Sequence, residues 1–142
     1  MYGKPLQNLD IDKGVTILDN IIACISNFDC IDSVVLGIAE GNENLDFVDY
    51  AKTNGLGYIV GDEIDVLSRL LQCGKHASAT DIFRTTSESP FPYFDMIESN
   101  WADHCDNDND ATFLDDIIDG CGFEIIKIDK LKESHKKGQK KH

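Results

Sequence analysis

Ser33-Val34-Val35-Leu36-Gly37-Ile38-Ala39 is a short unbroken apolar run, closed by the polar loop Glu40-Gly41-Asn42-Glu43-Asn44. Such a run reads as a strand buried on both faces, the kind that parallel sheets contain. Leu45 to Thr53 then has helical spacing, with Leu45, Val48 and Tyr50 facing inward. Asn54-Gly55 stops it, as glycine past a helix commonly does. Gly57-Tyr58-Ile59-Val60 is the next strand. Strand, helix, strand is the unit from which parallel α/β sheets are built.

The alternation continues outward in both directions. Val15 to Phe28 predicts a helix capped near Gly14, with Ile17, Leu18, Ile21, Ile22 and Ile25 on its apolar face. Gly61-Asp62-Glu63 turns into a helix from Ile64 to His76, with Ile64, Leu67, Leu70 and Leu71 inward. Asp81 to Thr86 predicts a third strand, followed by the proline loop Ser89-Pro90-Phe91-Pro92. Pro92 or Tyr93 opens a helix that buries Phe94, Ile97 and Trp101. Asp103 to Asp110 reads as a solvated acidic loop without the glycine and terminal glutamate of an EF-hand. Phe123 to Ile128 predicts a fourth strand, and Lys130 to His142 a helix ending in a basic tail. The expected fold is α/β: three layers, α/β/α, around a mostly parallel sheet. Because the chain opens with a loop and a helix, the sheet is expected to be incomplete at the N-terminus. The expected division is 1–128 for the partial α/β domain and 129–142 for the basic tail. Unpaired edges on such a sheet invite pairing between copies, so a homodimer is an expectation.

At 142 residues the chain fits one domain. Its net charge is −13. Residues 127–142 hold 7 basic against 2 acidic side chains, which leaves 6 basic against 24 acidic in the rest, a net of −18. That surface repels a bare phosphate backbone, so nucleic-acid binding is not expected. An acidic protein can still handle nucleotides when a divalent metal supplies positive charge. No apolar run approaches the ~18 residues of a membrane span, and the first five residues lack the apolar core of a signal peptide. The five cysteines, Cys24, Cys30, Cys73, Cys105 and Cys121, are odd in number and none has two-residue spacing. They read as reduced thiols of a cytoplasmic protein, with Cys24 and Cys73 as small buried apolar groups. His104-Cys105 is half of a metal-ligand pattern with no second half.

Ligands of α/β sheets gather where strands run into loops. The exit of the third strand, Arg84-Thr85-Thr86-Ser87-Glu88-Ser89-Pro90, is the most informative such junction. A carboxylate held there by a proline turn suits magnesium, which takes one or two carboxylates and completes its shell with phosphate and water. The alternative is that Glu88 is an exposed loop acid. Arg69, in a leucine-rich helix, and Arg84, in a strand, need partners. Pairing with Asp62, Asp65 or Asp81 is one reading; phosphate or base contact is the other.

Four ordered stretches, Gly3-Lys4-Pro5-Leu6, Gly61 to Arg69, Arg84 to Phe91 and Asp119 to Glu124, carry a resemblance: in them the chain resembles the cytidylyltransferase-like nucleotidyltransferases of surface-sugar biosynthesis. That family includes the spore-coat polysaccharide biosynthesis protein F group and the acylneuraminate and 3-deoxy-manno-octulosonate cytidylyltransferases. Gly3-Lys4-Pro5-Leu6 is similar to the end of a basic nucleotide loop, Arg-Leu-Pro-Gly-Lys. Gly61 to Arg69 is similar to Gly-x-x-x-Asp-Val-Leu-x-Arg. Arg84 to Phe91 is similar to Arg-x-Thr-Gly-Asp-x-Pro-Leu, with Glu88 where the family has aspartate. Asp119 to Glu124 is similar to Asp-Gly-x-x-x-Glu. The resemblance implies a Rossmann-like nucleotide-diphospho-sugar transferase fold. It also implies transfer of CMP from CTP, or of a related nucleotidyl group, to a sugar acid or sugar phosphate for cell-surface polysaccharide. By that pattern Gly3, Lys4, Arg69 and Arg84 bind nucleotide, and Lys4, Arg84 and Glu88 serve catalysis. Glu88 would hold Mg2+, and Asp119 and Glu124 would face the acceptor or a second metal. Most of the basic loop is missing, which favours the alternative of a non-catalytic binding or dimerisation module on the same scaffold.

Overall fold

Thr16 caps the first helix. Its hydroxyl accepts from the Asp19 amide at 3.1 Å, and the Asp19 carboxylate accepts from the Thr16 amide at 2.8 Å. This reciprocal capping box satisfies two otherwise orphaned donors, so α1 (Ile17–Ser26) begins beyond the expected cap at Gly14. Gly14 instead adopts a left-handed conformation, φ 65°, in the turn between β1 (Asn8–Asp10) and β2 (Val15–Thr16). The two strands pair antiparallel. Ile17, Leu18, Ile21 and Ile25 are buried, and Ile22 is half-buried.

The computed structural model describes residues 3–139, which form two compact units. One unit holds residues 3–33 and Phe83–Ile125; the other holds Val34–Ile82 and residues 126–139.

In the second unit, β3 (Val35–Ala39) and β4 (Gly57–Gly61) pair in parallel, from Val35 opposite Gly57 to Ala39 opposite Gly61. The connecting helix α2 (Leu45–Thr53) ends at Gly55, φ 65°. Its fully buried position is Ala51, whereas Leu45, in the first turn, is exposed rather than inward. α3 (Val66–His76) starts after Asp65, whose carboxylate accepts from the Ser68 amide at 2.9 Å. The expected start at Ile64 is displaced because Asp62 Oδ1 accepts from the Ile64 and Asp65 amides, both at 2.8 Å, and turns the chain first. Ile64 is therefore 90% exposed and Leu67 is exposed, while Cys73 and Gly74 are the buried positions. Small residues make this packing close: a Cβ on Gly37 would stand 3.3 Å from Cys73 Sγ. Burial pushes the Cys73 thiol up, leaving it a neutral packing group. α5 (Ile128–Gln139) opens two residues before the expected Lys130 and packs on α3, with Leu131 buried and His135 Nε2 2.9 Å from Asp65 Oδ2.

In the first unit the core is aromatic. Phe83 lies 5.6 Å edge-on from Phe94 and 4.9 Å from Phe123. β5 (Asp81–Thr85), β7 (Phe123–Lys127) and β6 (Ala111–Phe113) form a three-stranded sheet in the order β5-β7-β6. The Thr85 hydroxyl donates to the Gly122 carbonyl and the Thr80 carbonyl accepts from the Ile128 amide, so β5 and β7 run antiparallel. α4 (Ile97–Asp106) begins later than Pro92 or Tyr93. The Tyr93 amide donates to the Cys121 carbonyl at 2.7 Å and holds that stretch out of the helix. Phe94 and Ile97 are buried as expected, and Trp101 is half-buried, stacked on His104. The acidic segment from Asp103 is not all loop. Its first four residues finish α4, and Asn107 and Asn109 donate to Asp103 at 2.8 and 3.1 Å to end it. Among the described residues no helix is long and apolar enough to cross a membrane.

Replacing Thr16 with alanine removes the cap acceptor and lowers stability by about 1 kcal/mol. In urea melts the midpoint falls and the slope stays unchanged. Acidification tests the α3–α5 tie. The hydrogen bond from His135 and the Ser68 amide hold the Asp65 carboxyl below its ordinary 3.8. A depressed folded value means stability that is present above pH 3.8 and is lost as the pH falls through the folded value. Asp65→Asn keeps the cap but removes the charge. The gap in melting temperature between it and the wild type closes below pH 3.8; a gap that persists there would refute this account.

Candidate functional site

The exit of β5 and the segment after β6 meet at an open cleft of about 340 Å3, inside the first unit. The volume is at the low end of small-molecule sites. Thr85 donates its hydroxyl to the Gly122 carbonyl at 3.0 Å, and Thr86 donates to the Gly120 carbonyl at 3.0 Å. These bonds fasten the wall of the cleft, residues 114–122, to the end of β5. The wall turns at Gly120, φ 81°, and at Asp116, φ 56°, a residue type that tolerates the left-handed region. Gly122 has no side chain because a Cβ there would overlap Ile117 Cδ1.

Arg84 and Glu124 face each other on neighbouring strands, with Arg84 Nη1 donating to Glu124 Oε2 at 3.2 Å. Their side chains are 35% and 40% exposed. An ion pair that wet contributes about 0–1 kcal/mol, so it orients the guanidinium more than it stabilises the fold. Asp115, Asp116 and Asp119 also line the cleft and make no hydrogen bond or ion pair with another described residue.

Of the residues singled out in the sequence, the structure brings Arg84, Asp119 and Glu124 together in this cleft. Gly3, φ 73°, and Lys4 form a 3-10 turn over Lys4–Leu6, where Pro5 is buried; neither lines the cleft. Glu88 is exposed on the proline loop, makes no bond to another described residue, and is not a lining residue. Arg69 belongs to the other unit. It donates to the main-chain carbonyls of Asp62 and, at 2.9 Å, Glu63, instead of pairing with the carboxylates of Asp62, Asp65 or Asp81. Gly61 permits this, since a Cβ there would stand 3.0 Å from Arg69 Cγ.

Sequence reading missed Asp115, Asp116 and Phe113. The strand that delivers them, β6, has three residues, too few for a period-two signal. The cysteines are all free thiols; Cys73 is buried, Cys24 only half-buried, Cys105 exposed. His104 is buried against Thr112, Nδ1 to Oγ1 2.9 Å. Among the described residues no group of three or more His, Cys, Asp or Glu could hold a metal ion.

No family model matches the chain. It is 23% identical over 126 residues to an uncharacterized protein of Methanocaldococcus jannaschii, covering 89% of this chain and 52% of that protein. Its structure is similar to that of a cytidylyltransferase from Leptospira borgpetersenii serovar Hardjo-bovis, with a TM-score of 0.78 and 20% identity. That match covers 92% of this chain and 56% of the other. The chain thus spans about half the length of each. The likeness shows the fold alone, an α/β Rossmann-like arrangement, as the sequence led us to expect; the expected mostly parallel sheet is mixed instead, with β3–β4 parallel and β1–β2 antiparallel.

Gly122→Ala overpacks the wall of the cleft against Ile117 and costs about 1–3 kcal/mol. Ile117→Val removes the clashing Cδ1. The double variant Gly122→Ala/Ile117→Val recovers part of that loss in urea titration. Strictly additive losses would show that the two side chains do not compete for the same space.

Proposed function

We propose that the chain is a nucleotide- and sugar-handling portion of a nucleotidyltransferase for cell-surface polysaccharide. In the reaction a sugar oxygen attacks the α-phosphorus of CTP; the new P–O bond forms as the bond to pyrophosphate breaks, and pyrophosphate leaves. The observation that carries this reading is the convergence of Arg84, Asp119 and Glu124 in one cleft at the β5 exit of a cytidylyltransferase fold. Strand exits are where sheets of this class bind ligands.

The roles are those that the family resemblance implies. Lys4, beside the left-handed Gly3, neutralises triphosphate oxygens. Arg84 presents a guanidinium whose planar fork suits phosphate. Asp119 and Glu124 accept from acceptor hydroxyls. By the family pattern Glu88 would offer one carboxylate to a magnesium ion, which takes water and phosphate oxygens for the rest, although it stands exposed and outside the lining of the cleft. Magnesium, when bound, supplies positive charge against the phosphates. Arg69, with its guanidinium on two carbonyls, acts on the nucleotide only through the Asp62–Asp65 turn that it holds. The exposed, solitary Glu88 favours a second reading, a binding module of the same fold that performs no transfer.

Calorimetric titration with CTP tests the proposal. Wild-type protein binds CTP more tightly with magnesium than without, Arg84→Ala weakens binding about tenfold, and Glu88→Gln abolishes the magnesium dependence. Absence of CTP binding under all conditions overturns it. Binding without pyrophosphate release in the presence of sugars selects the second reading.

A further inference from the structure

The cleft has an unusual balance of hydrogen-bonding groups. Among its lining residues Arg84 is the one cationic side chain, against four carboxylates: Asp115, Asp116, Asp119 and Glu124. Part of the donor capacity is already engaged. Arg84 Nη1 donates to Glu124, and the hydroxyls of Thr85 and Thr86 donate to the carbonyls of Gly122 and Gly120. Carboxylates only accept. The three aspartates have no partner among the described residues. The interior therefore offers many acceptors and few donors, with an excess of negative charge. At the rim Phe113 is 64% exposed and Ile118 79% exposed, which supplies apolar surface for the C–H face of a ring.

We propose that this cleft binds a polyhydroxylated sugar without negative charge, and most tightly one with an ammonium group, rather than the sugar acid that the family resemblance implies. Each sugar hydroxyl or ammonium donates to an ionised acid, and such charge-assisted bonds are about twice as strong as neutral ones. A carboxylate-bearing sugar meets an acceptor-lined wall instead, with the N–H groups that Arg84 does not give to Glu124 as its one charged donor. The inference rests on the reading of this cleft as the acceptor site of a nucleotidyltransferase.

Three probes with the same ring separate the possibilities: glucosamine, glucose and glucuronate. Each is titrated into the 15N-labelled chain at pH 7 and followed through the amides of Thr85, Thr86, Gly120 and Gly122. Glucosamine binds most tightly and glucuronate at least about tenfold more weakly, with shifts confined to these amides and their neighbours. Asp116→Asn and Asp119→Asn, conservative in shape and in tolerance of the left-handed turn, narrow the difference between glucosamine and glucuronate while glucose changes least. Rising salt narrows it as well. Glucuronate binding as tightly as glucosamine, no shift with any probe, or variants that leave the order unchanged would each overturn the proposal. CTP titration of the same sample keeps the two readings apart. CTP binding with a reversed sugar order sinks the charge preference alone, whereas failure to bind CTP sinks the nucleotidyltransferase reading alone.

Discussion

Two hydroxyl groups decide whether the first unit has a site. Residues 114–122 form no helix or strand and bury little, so their own backbone bonds cannot fix them. What fixes them is the pair of donations from Thr85 and Thr86 to the carbonyls of Gly122 and Gly120, one on each side of Cys121. The Cys121 carbonyl in turn accepts from Tyr93, and the Cys121 amide donates to Ile118. A stretch of chain with unsatisfied carbonyls would seek water and fray. Bound this way, it holds three aspartates and Arg84 around one volume, and the proline loop is pinned to it from the other side. The hydrogen bonds, rather than apolar burial, carry the geometry here.

The second unit reaches order by a different route. Its parallel pair β3–β4 has only five residues in each strand. Close approach compensates. Gly37 lies against Cys73, Gly57 against His76, and Gly61 beneath the stem of Arg69. Each glycine lets a helix side chain come within van der Waals contact of the strand backbone, so α3 packs along both strands. Arg69 then closes the β4 exit by donating to two carbonyls, and Asp65 serves at once as helix cap and as partner of His135. Three polar residues so arranged do the work that a larger apolar interface would do elsewhere.

Much of this was legible in the sequence because period alone carries it. The run Val35–Ala39, the helix Leu45–Thr53 and its glycine stop, and the strands at Gly57, Asp81 and Phe123 emerge where spacing placed them. Boundaries failed where a polar side chain overrode the pattern. Thr16 and Asp19 set the start of α1, Asp62 delayed α3, and Tyr93 delayed α4. Apolar identity misled at Ile64 and Leu45, because a hydrophobic residue in a turn before a helix, or in its first turn, need not face the sheet. Motif order singled out Arg84, Asp119 and Glu124, which line one cleft. Asp115 and Asp116 were not singled out, since nothing local distinguishes a cleft acid from a surface acid in a chain with 26 acidic residues.

That abundance of acid raises the question of which charges a ligand in the cleft would feel. A cleft of about 340 Å3 is roughly 9 Å across, close to one Debye length at physiological salt. Charges on the far surface are screened over that distance and count for little. The lining carboxylates are within it, and the protein on one side limits how much water can shield them. The local excess of acid over base, rather than the net charge of −13, therefore governs what enters. Arg84 does not cancel it, because its pair with Glu124 removes one charge of each sign and leaves Asp115, Asp116 and Asp119 facing the volume. A cation or a hydroxyl donor lowers the energy of those three groups, and an anion raises it unless a metal ion arrives with it.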